Sequence, residues 1–202
     1  MNIVHHRTGW IEVIAGCMFS GKTEELIRRL RRASIARQKI QSFKPIIDNR
    51  YSKEAITSHD DTTLDAMPVA AASEILSKIK GNTQVVGIDE AQFFGEDLID
   101  VCQILADRGI RVIVAGLDQD YLGVPFGPMP NLLSVAEYVH KQSAICVICG
   151  NPASRTQKVV ANNDRIQVGA TEAYEARCRF CFDPALPEKL SRSEESINKE
   201  LQ

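Results

Sequence analysis

Short apolar runs, bounded by glycine, proline or polar residues, alternate along the first two thirds of the chain with stretches whose apolar residues recur every three or four positions. Residues 10–15 form the first run, rich in β-branched side chains and broken at Gly16, and Leu26, Ile27 and Leu30 follow at helical spacing. This predicts strand, loop, helix. Further strands are predicted over residues 40–43, closed by Pro45, over 85–88 and over 112–115. Between the last two, Leu98, Val101, Cys102 and Leu105 mark a crossover helix that stops near Gly109. Alternation of this kind implies an α/β fold, a mostly parallel sheet with helices on both faces.

From Lys141 to Pro184 the pattern changes to short β-like pieces carrying two close cysteine pairs, and from Glu188 onward the chain is polar and charged. The expected organisation is an α/β domain over residues 1–140, a small module over 141–187 and a polar tail over 188–202. No internal repeat is visible. At 202 residues there is room for one active site rather than two full catalytic domains. The formal net charge of -2 calls for neither a nucleic-acid nor a membrane partner. The first ten residues, with His5, His6 and Arg7, lack the apolar core of a secretion signal, and no later run is long enough to span a bilayer. A cytoplasmic location is expected, where close cysteine pairs read as metal ligands.

Candidate chemistry sharpens the picture. Gly16-Cys17-Met18-Phe19-Ser20-Gly21-Lys22-Thr23 fits G-x-x-x-x-G-K-[ST], after a predicted strand and opening a predicted helix. In such a P-loop the backbone amides and helix N-terminus face the phosphates, the lysine neutralises the β and γ oxygens, and the threonine ligates magnesium. The helix beyond carries Arg28, Arg29, Arg31, Arg32 and Arg37; without interleaved aromatics, and with acidic residues elsewhere balancing the charge, it reads as a solvated face. The apolar run at 85–88 ends in Asp89 and Glu90, as a Walker B strand delivers an acid to the metal. Asp89 is the magnesium-side candidate and Glu90 the base for a substrate hydroxyl, with a solvated strand end as the alternative. Cys146-x-x-Cys149 and Cys178-x-x-Cys181 are two knuckles suited to a structural tetrahedral zinc, with disulfides or buried thiols as alternatives. Cys17 and Cys102 read as small apolar fillers.

Met18 to Thr23 and the run Asp89-Glu90-Ala91-Gln92-Phe93-Phe94 together resemble the signature pair of the zinc-containing thymidine kinases of bacteria and animal cytosol. Asp48-Asn49-Arg50-Tyr51, Ser58-His59-Asp60, Ala115-Gly116-Leu117-Asp118 and Pro125-Phe126-Gly127 extend the resemblance, which covers residues 10–182. Cys17, where proline or another small residue is common, and Ala170, in place of a second glycine, are the departures. The resemblance implies a P-loop sheet with a zinc-pinned "lasso" that closes over the nucleoside. It implies ATP binding by Gly16 to Thr23 with Asp89 and Gln92, and nucleoside binding by Thr156, Val168 and Tyr174 through main-chain contacts to thymine, with Gly169 giving backbone freedom and Tyr174 placed to stack on the sugar or close the pocket. Met18, Phe93, Leu117 and Tyr121 match the apolar pocket wall, though Leu117 reads equally well as core.

The reaction this implies is transfer of the γ-phosphoryl of ATP to the 5′-hydroxyl of thymidine or deoxyuridine, for nucleotide salvage and DNA precursor synthesis. Glu90 would be the base, Lys22 would offset charge, and Arg50 would lie near the 5′-oxygen and phosphates; His59 is the weaker candidate. ATP, magnesium and zinc are the implied cofactors, and a homotetramer inhibited by thymidine triphosphate the implied assembly and control. The competing reading is a zinc-containing ATPase acting on nucleic acid, since Asp89-Glu90-Ala91-Gln92 also resembles a helicase box. That reading requires a second motor domain, for which the chain has no room.

Overall fold

The computed structural model describes residues 8–46, 55–57, 63–161 and 171–191. Strand β1 (Trp10–Gly16) leads through the phosphate-loop sequence into helix α1 (Lys22–Ile35), and β2 (Ile40–Pro45) follows. β3 (Ala55–Thr57) and β4 (Thr63–Asp65) pair with each other as an antiparallel ribbon. Next come β5 (Met67–Val69), α2 (Ser73–Lys78) and β6 (Val85–Ile88), then a short 3-10 turn (Ala91–Phe93) and α3 (Asp97–Asp107). β7 (Arg111–Leu117), α4 (Met129–Val135) and β8 (Tyr138–Gln142) complete the main layer.

Six of these strands form one parallel sheet in the order β5-β2-β6-β7-β1-β8. Alternation of side chains across the strands divides the core in two. Val13, Val86, Ile88, Val112 and Val114 face α3, through Leu98, Val101, Cys102 and Leu105, and α4, through Met129 and Leu132. Ile14, Val85, Ile113 and Ala115 face Leu26, Ile27, Leu30 and Ala33 of α1. The helices thus cover both faces, as the periodicity implies. Cys102 is fully buried, and that burial pushes its thiol up to about 12, so it is a filler rather than a reactive group.

The structure extends the predicted pattern. β2 runs on through Pro45, because the last residues of the strand pair with β5, where the proline sits at a strand end and Ile46 donates to the Val69 carbonyl. β5 and β8 are too short or too polar to stand out in sequence; four of the five residues of β8 are exposed. β8 also runs across the boundary expected between residues 140 and 141.

Beyond β8 lie small antiparallel pairs: β9 (Ala144–Ile145) with β10 (Pro152–Ala153), and β11 (Arg155–Lys158) with β12 (Tyr174–Arg177). Among the described residues no helix is long and apolar enough to cross a membrane. Of the polar tail only residues 188–191 are described.

The arginine-rich helix departs in one place from a solvated face. Arg28, Arg31, Arg32 and Arg37 are exposed, but Arg29 reaches Glu12 of β1 at 2.7 Å and Glu25 at 2.7 Å. Arg111, at the start of β7, meets the same Glu12 at 2.6 Å. Burial works against charge on Glu12, but hydrogen bonds from Arg111, Trp10 and Arg29 outweigh it and hold the carboxyl below its ordinary value. This carboxylate ties the phosphate-loop strand, its following helix and the neighbouring strand together.

Glu12→Gln is expected to lower stability by about 3 kcal/mol at neutral pH, the low end for a broken buried pair, because both guanidiniums keep some contact with water. A folded-state value below the unfolded one adds stability that is complete above the unfolded value and is lost as pH falls through the folded one. Urea denaturation should therefore show wild type and Glu12→Gln well separated at pH 7 and converging in acid; equal stability at pH 7 would rule out this role for the carboxylate.

Candidate active site

Register places the functional residues along one sheet edge. Gly16 pairs with Leu117 on one side and with Gln142 on the other, and Ile88 pairs with Val114, so the C-terminal ends of β1, β6, β7 and β8 open together. The phosphate loop leaves β1 there. Gly21 caps α1 with φ 79°, a left-handed conformation that suits glycine, and its carbonyl accepts the first helical bond, from Glu25, at 3.0 Å. The Cys17 carbonyl accepts from the Ser20 hydroxyl at 2.8 Å and from Lys22 Nζ at 2.7 Å, drawing the loop around its lysine. Met18 is half-buried and Phe19 exposed.

Lys22 faces acids. Burial lowers its ammonium, while the charges of Glu90, Asp89 and Asp118 act in the opposite direction. Asp89 is buried at the end of β6; its two oxygens accept from Thr23 Oγ1 at 3.3 Å and from the Glu90 amide at 3.0 Å. Burial, followed by the neighbouring Glu90 charge, pushes the Asp89 carboxyl up to about 7. A hydroxyl and a carboxylate held together, with the charge on the carboxylate disfavoured in isolation, fit a small oxygen-loving cation such as magnesium.

Glu90 itself sits at φ 51° and ψ 40°, a left-handed conformation that is strained for a side-chain-bearing residue, and it begins the 3-10 turn. Its Oε2 accepts from Gln92 Nε2 at 2.6 Å. The other end of the Gln92 amide accepts the Leu117 N–H at 2.9 Å, and Gln92 is 2% exposed. Both ends of its amide are thus bonded within the protein.

The four cysteines gather as their spacing predicts. Their sulfurs lie within 4.8 Å of one another, with Cys149 and Cys178 3.6 Å apart, and all four thiols are free. A disulfide needs sulfurs about 2 Å apart, whereas four thiolates around one zinc sit close to 3.8 Å from each other by tetrahedral geometry. Burial opposes a thiolate at Cys146, but N–H groups of Cys178, Cys149 and Ile148 bring it down to about 6. The Cys181 backbone N–H leads the effects that lower Cys178. The donor set suits structural zinc.

This module touches the phosphate loop directly. Cys17 packs with Ala144, Cys146, Ala153, Ala176 and Cys178, and its thiol donates to the Ala153 carbonyl at 3.3 Å. The Met18 N–H donates to Thr156 Oγ1 at 3.0 Å. Thr156 and Lys158 lie on β11, where Lys158 pairs with Tyr174 and holds its ammonium 4.9 Å from the Tyr121 ring centre. Met18, Thr156, Tyr174 and Tyr121 are thus linked in one chain of contacts. On the other flank Phe93 packs edge-on against Phe126 at 5.7 Å, and Leu117 is joined to the acidic turn through Gln92. Arg50, His59, Val168 and Gly169 lie outside the described residues.

Two buried charges were not read as site residues from the sequence. Asp118 follows β7 as Asp89 follows β6, and that parallel was the available signal. One of its oxygens meets Lys141 at 2.6 Å, and the other is buried without a hydrogen-bond partner among the described residues. Lys158 is fully buried and carried no sequence signal of its own.

Parallel strands delivering a glycine-lysine loop and paired acids to one edge define a P-loop phosphotransferase fold. The family model for thymidine kinase matches residues 9–182. A thymidine kinase of Bdellovibrio bacteriovorus is 61% identical over 179 residues, covering 89% of this chain and 88% of its own. One from Rhodothermus is 56% identical over 183 residues, covering 91% and 85%. The chain belongs to the thymidine kinase family.

Freshly purified protein is expected to hold about one zinc per chain by elemental analysis, and Cys178→Ser to lose most of it. Because the module bonds to Cys17 and Met18, loss of zinc should also weaken ATP binding, measured by titration. Metal-free protein with an intact fold would exclude the zinc site.

Proposed function

We propose that this enzyme transfers the γ-phosphoryl group of ATP to the 5′-hydroxyl of thymidine, and of deoxyuridine, giving the nucleoside 5′-monophosphate for DNA precursor synthesis. The observation that carries the reading is the placement of Glu90, a strained carboxylate beside the phosphate-loop lysine and next to the Asp89–Thr23 pair. The 5′-oxygen bonds to the γ-phosphorus, the bond to the β–γ bridging oxygen breaks, ADP leaves with its electrons, and Glu90 takes the hydroxyl proton. Lys22 and the loop amides from Gly16 to Thr23 hold the phosphates and offset their charge. Thr23 and Asp89 would hold magnesium, which supplies charge neutralisation at the phosphates when bound.

Met18, Phe93, Leu117 and Tyr121 form the apolar wall for the nucleoside, Thr156, Val168, Gly169 and Tyr174 meet the base, and Arg50 acts near the 5′-oxygen. Residues 141–187 act as a zinc-pinned lasso appended to the 1–140 nucleotide domain. A cytoplasmic homotetramer is the proposed assembly. Family membership and the joined contacts of Met18, Thr156, Tyr174 and Tyr121 support this reading.

Main-chain groups ordered for the edge of thymine meet an inverted donor and acceptor pattern in cytosine, and unpaired buried groups discriminate by about ten-thousand-fold. With labelled ATP, thymidine and deoxyuridine should be phosphorylated and deoxycytidine should not. ATP turnover stimulated by single-stranded DNA but not by thymidine would replace this reading with the nucleic-acid ATPase.

Glu90→Gln should lower turnover roughly a hundred-fold with ATP affinity nearly unchanged. Asp89→Asn should reduce magnesium-dependent ATP binding as well as turnover. Near-normal turnover in Glu90→Gln would remove the assignment of the base.

A further inference from the structure

We infer that Gln92 is the positioning residue of the catalytic carboxylate, a two-ended amide that fixes Glu90 against strand β7. The inference rests on the reading of Glu90 as base and adds to it the device that aims the group. Chemistry fixes the orientation of the amide: a backbone N–H can only donate, so Leu117 must face Oε1, and a carboxylate accepts, so Glu90 must face Nε2. The two bonds, 2.9 and 2.6 Å, run from the end of one central strand to the second residue beyond another.

Three further observations point the same way. At 2% exposure Gln92 has almost no solvent to compete for its amide. The backbone of Glu90 is held in a left-handed conformation by the short turn that Gln92 belongs to, so the carboxylate cannot find its place from local preference alone. Position 116 is shaped around the amide as well: a Cβ there would lie 2.9 Å from Gln92 Oε1 and 2.7 Å from Met129 Sδ, so glycine leaves the room the amide occupies. Removing a polar partner at such a site leaves the Leu117 N–H unpaired and lets the carboxylate rotate. A misplacement of about 1 Å at a reacting group can cost roughly a hundred-fold in rate.

A residue that acts only through Glu90 has a signature that a merely structural residue lacks. Gln92→Met keeps the volume and removes both bonds; it should lower kcat by about a hundred-fold and leave the ATP affinity and the KM for thymidine within about two-fold. Introduced into Glu90→Gln, the same substitution should cause little further loss, because there is no longer a base to aim. Gln92→Leu provides a second arm if Gln92→Met does not melt cooperatively: it removes the same two bonds with a differently shaped apolar side chain and should show the same loss in kcat.

Additive losses in the double variant, with Glu90→Gln itself nearly inactive, would overturn the positioning role while leaving Glu90 as base. Normal kcat in both Gln92 variants would overturn it too, and a fall confined to ATP affinity would return Gln92 to the nucleotide site. An active Glu90→Gln would remove the base, and this inference with it.

Discussion

Parallel pairing of β1 with β7, and of β7 with β6, is the constraint on which the site depends. Strands that run the same way finish on the same edge, so the phosphate loop after Gly16, the acids after Ile88 and the Leu117–Asp118 step are brought together by register rather than by loop folding. The Glu12 carboxylate, gripped by Arg29 and Arg111, holds that register where it matters most, between the loop strand and the helix the loop opens. A slip of one residue would reverse every side chain in the strand, exchanging Val13 and Ile14 between the two halves of the core.

The small cysteine module is part of the same machine. Its contacts with Cys17 and Met18 give the phosphate loop a wall it could not build from its own short sequence. Cys17 packs its sulfur against the module and donates to the Ala153 carbonyl. Backbone position in one binding loop is thereby set by residues more than 130 positions away.

Most of the fold was legible because it is written in strong local patterns. The run at residues 10–15, the glycine-lysine loop, and the periodic Leu98, Val101, Cys102 and Leu105 each report burial directly. β8 was not legible, because an edge strand whose Tyr138, Val139 and His140 face outward lacks the alternation that burial imposes. In the site, Lys22, Asp89 and Glu90 could be singled out because their chemistry demands fixed neighbours in sequence. The engagement of Gln92 with Leu117 across 25 positions could not, since a side-chain hydrogen bond from a turn to a strand leaves no periodic trace. Arg29 was taken for a surface charge for the same reason; only the fold brings Glu12 beneath it.

The distribution of thiols has a use beyond folding. Of six cysteines, four gather in the cluster suited to zinc, and the remaining two, Cys17 and Cys102, are sealed at 2% and 0% exposure with burial favouring the protonated form of both. The native protein therefore presents no reactive sulfhydryl of its own to a thiol-specific dye while the cluster is filled. With zinc bound there, colour developed by such a dye under native conditions would measure the fraction of molecules whose knuckles have opened, an optical gauge of metal occupancy built into the chain.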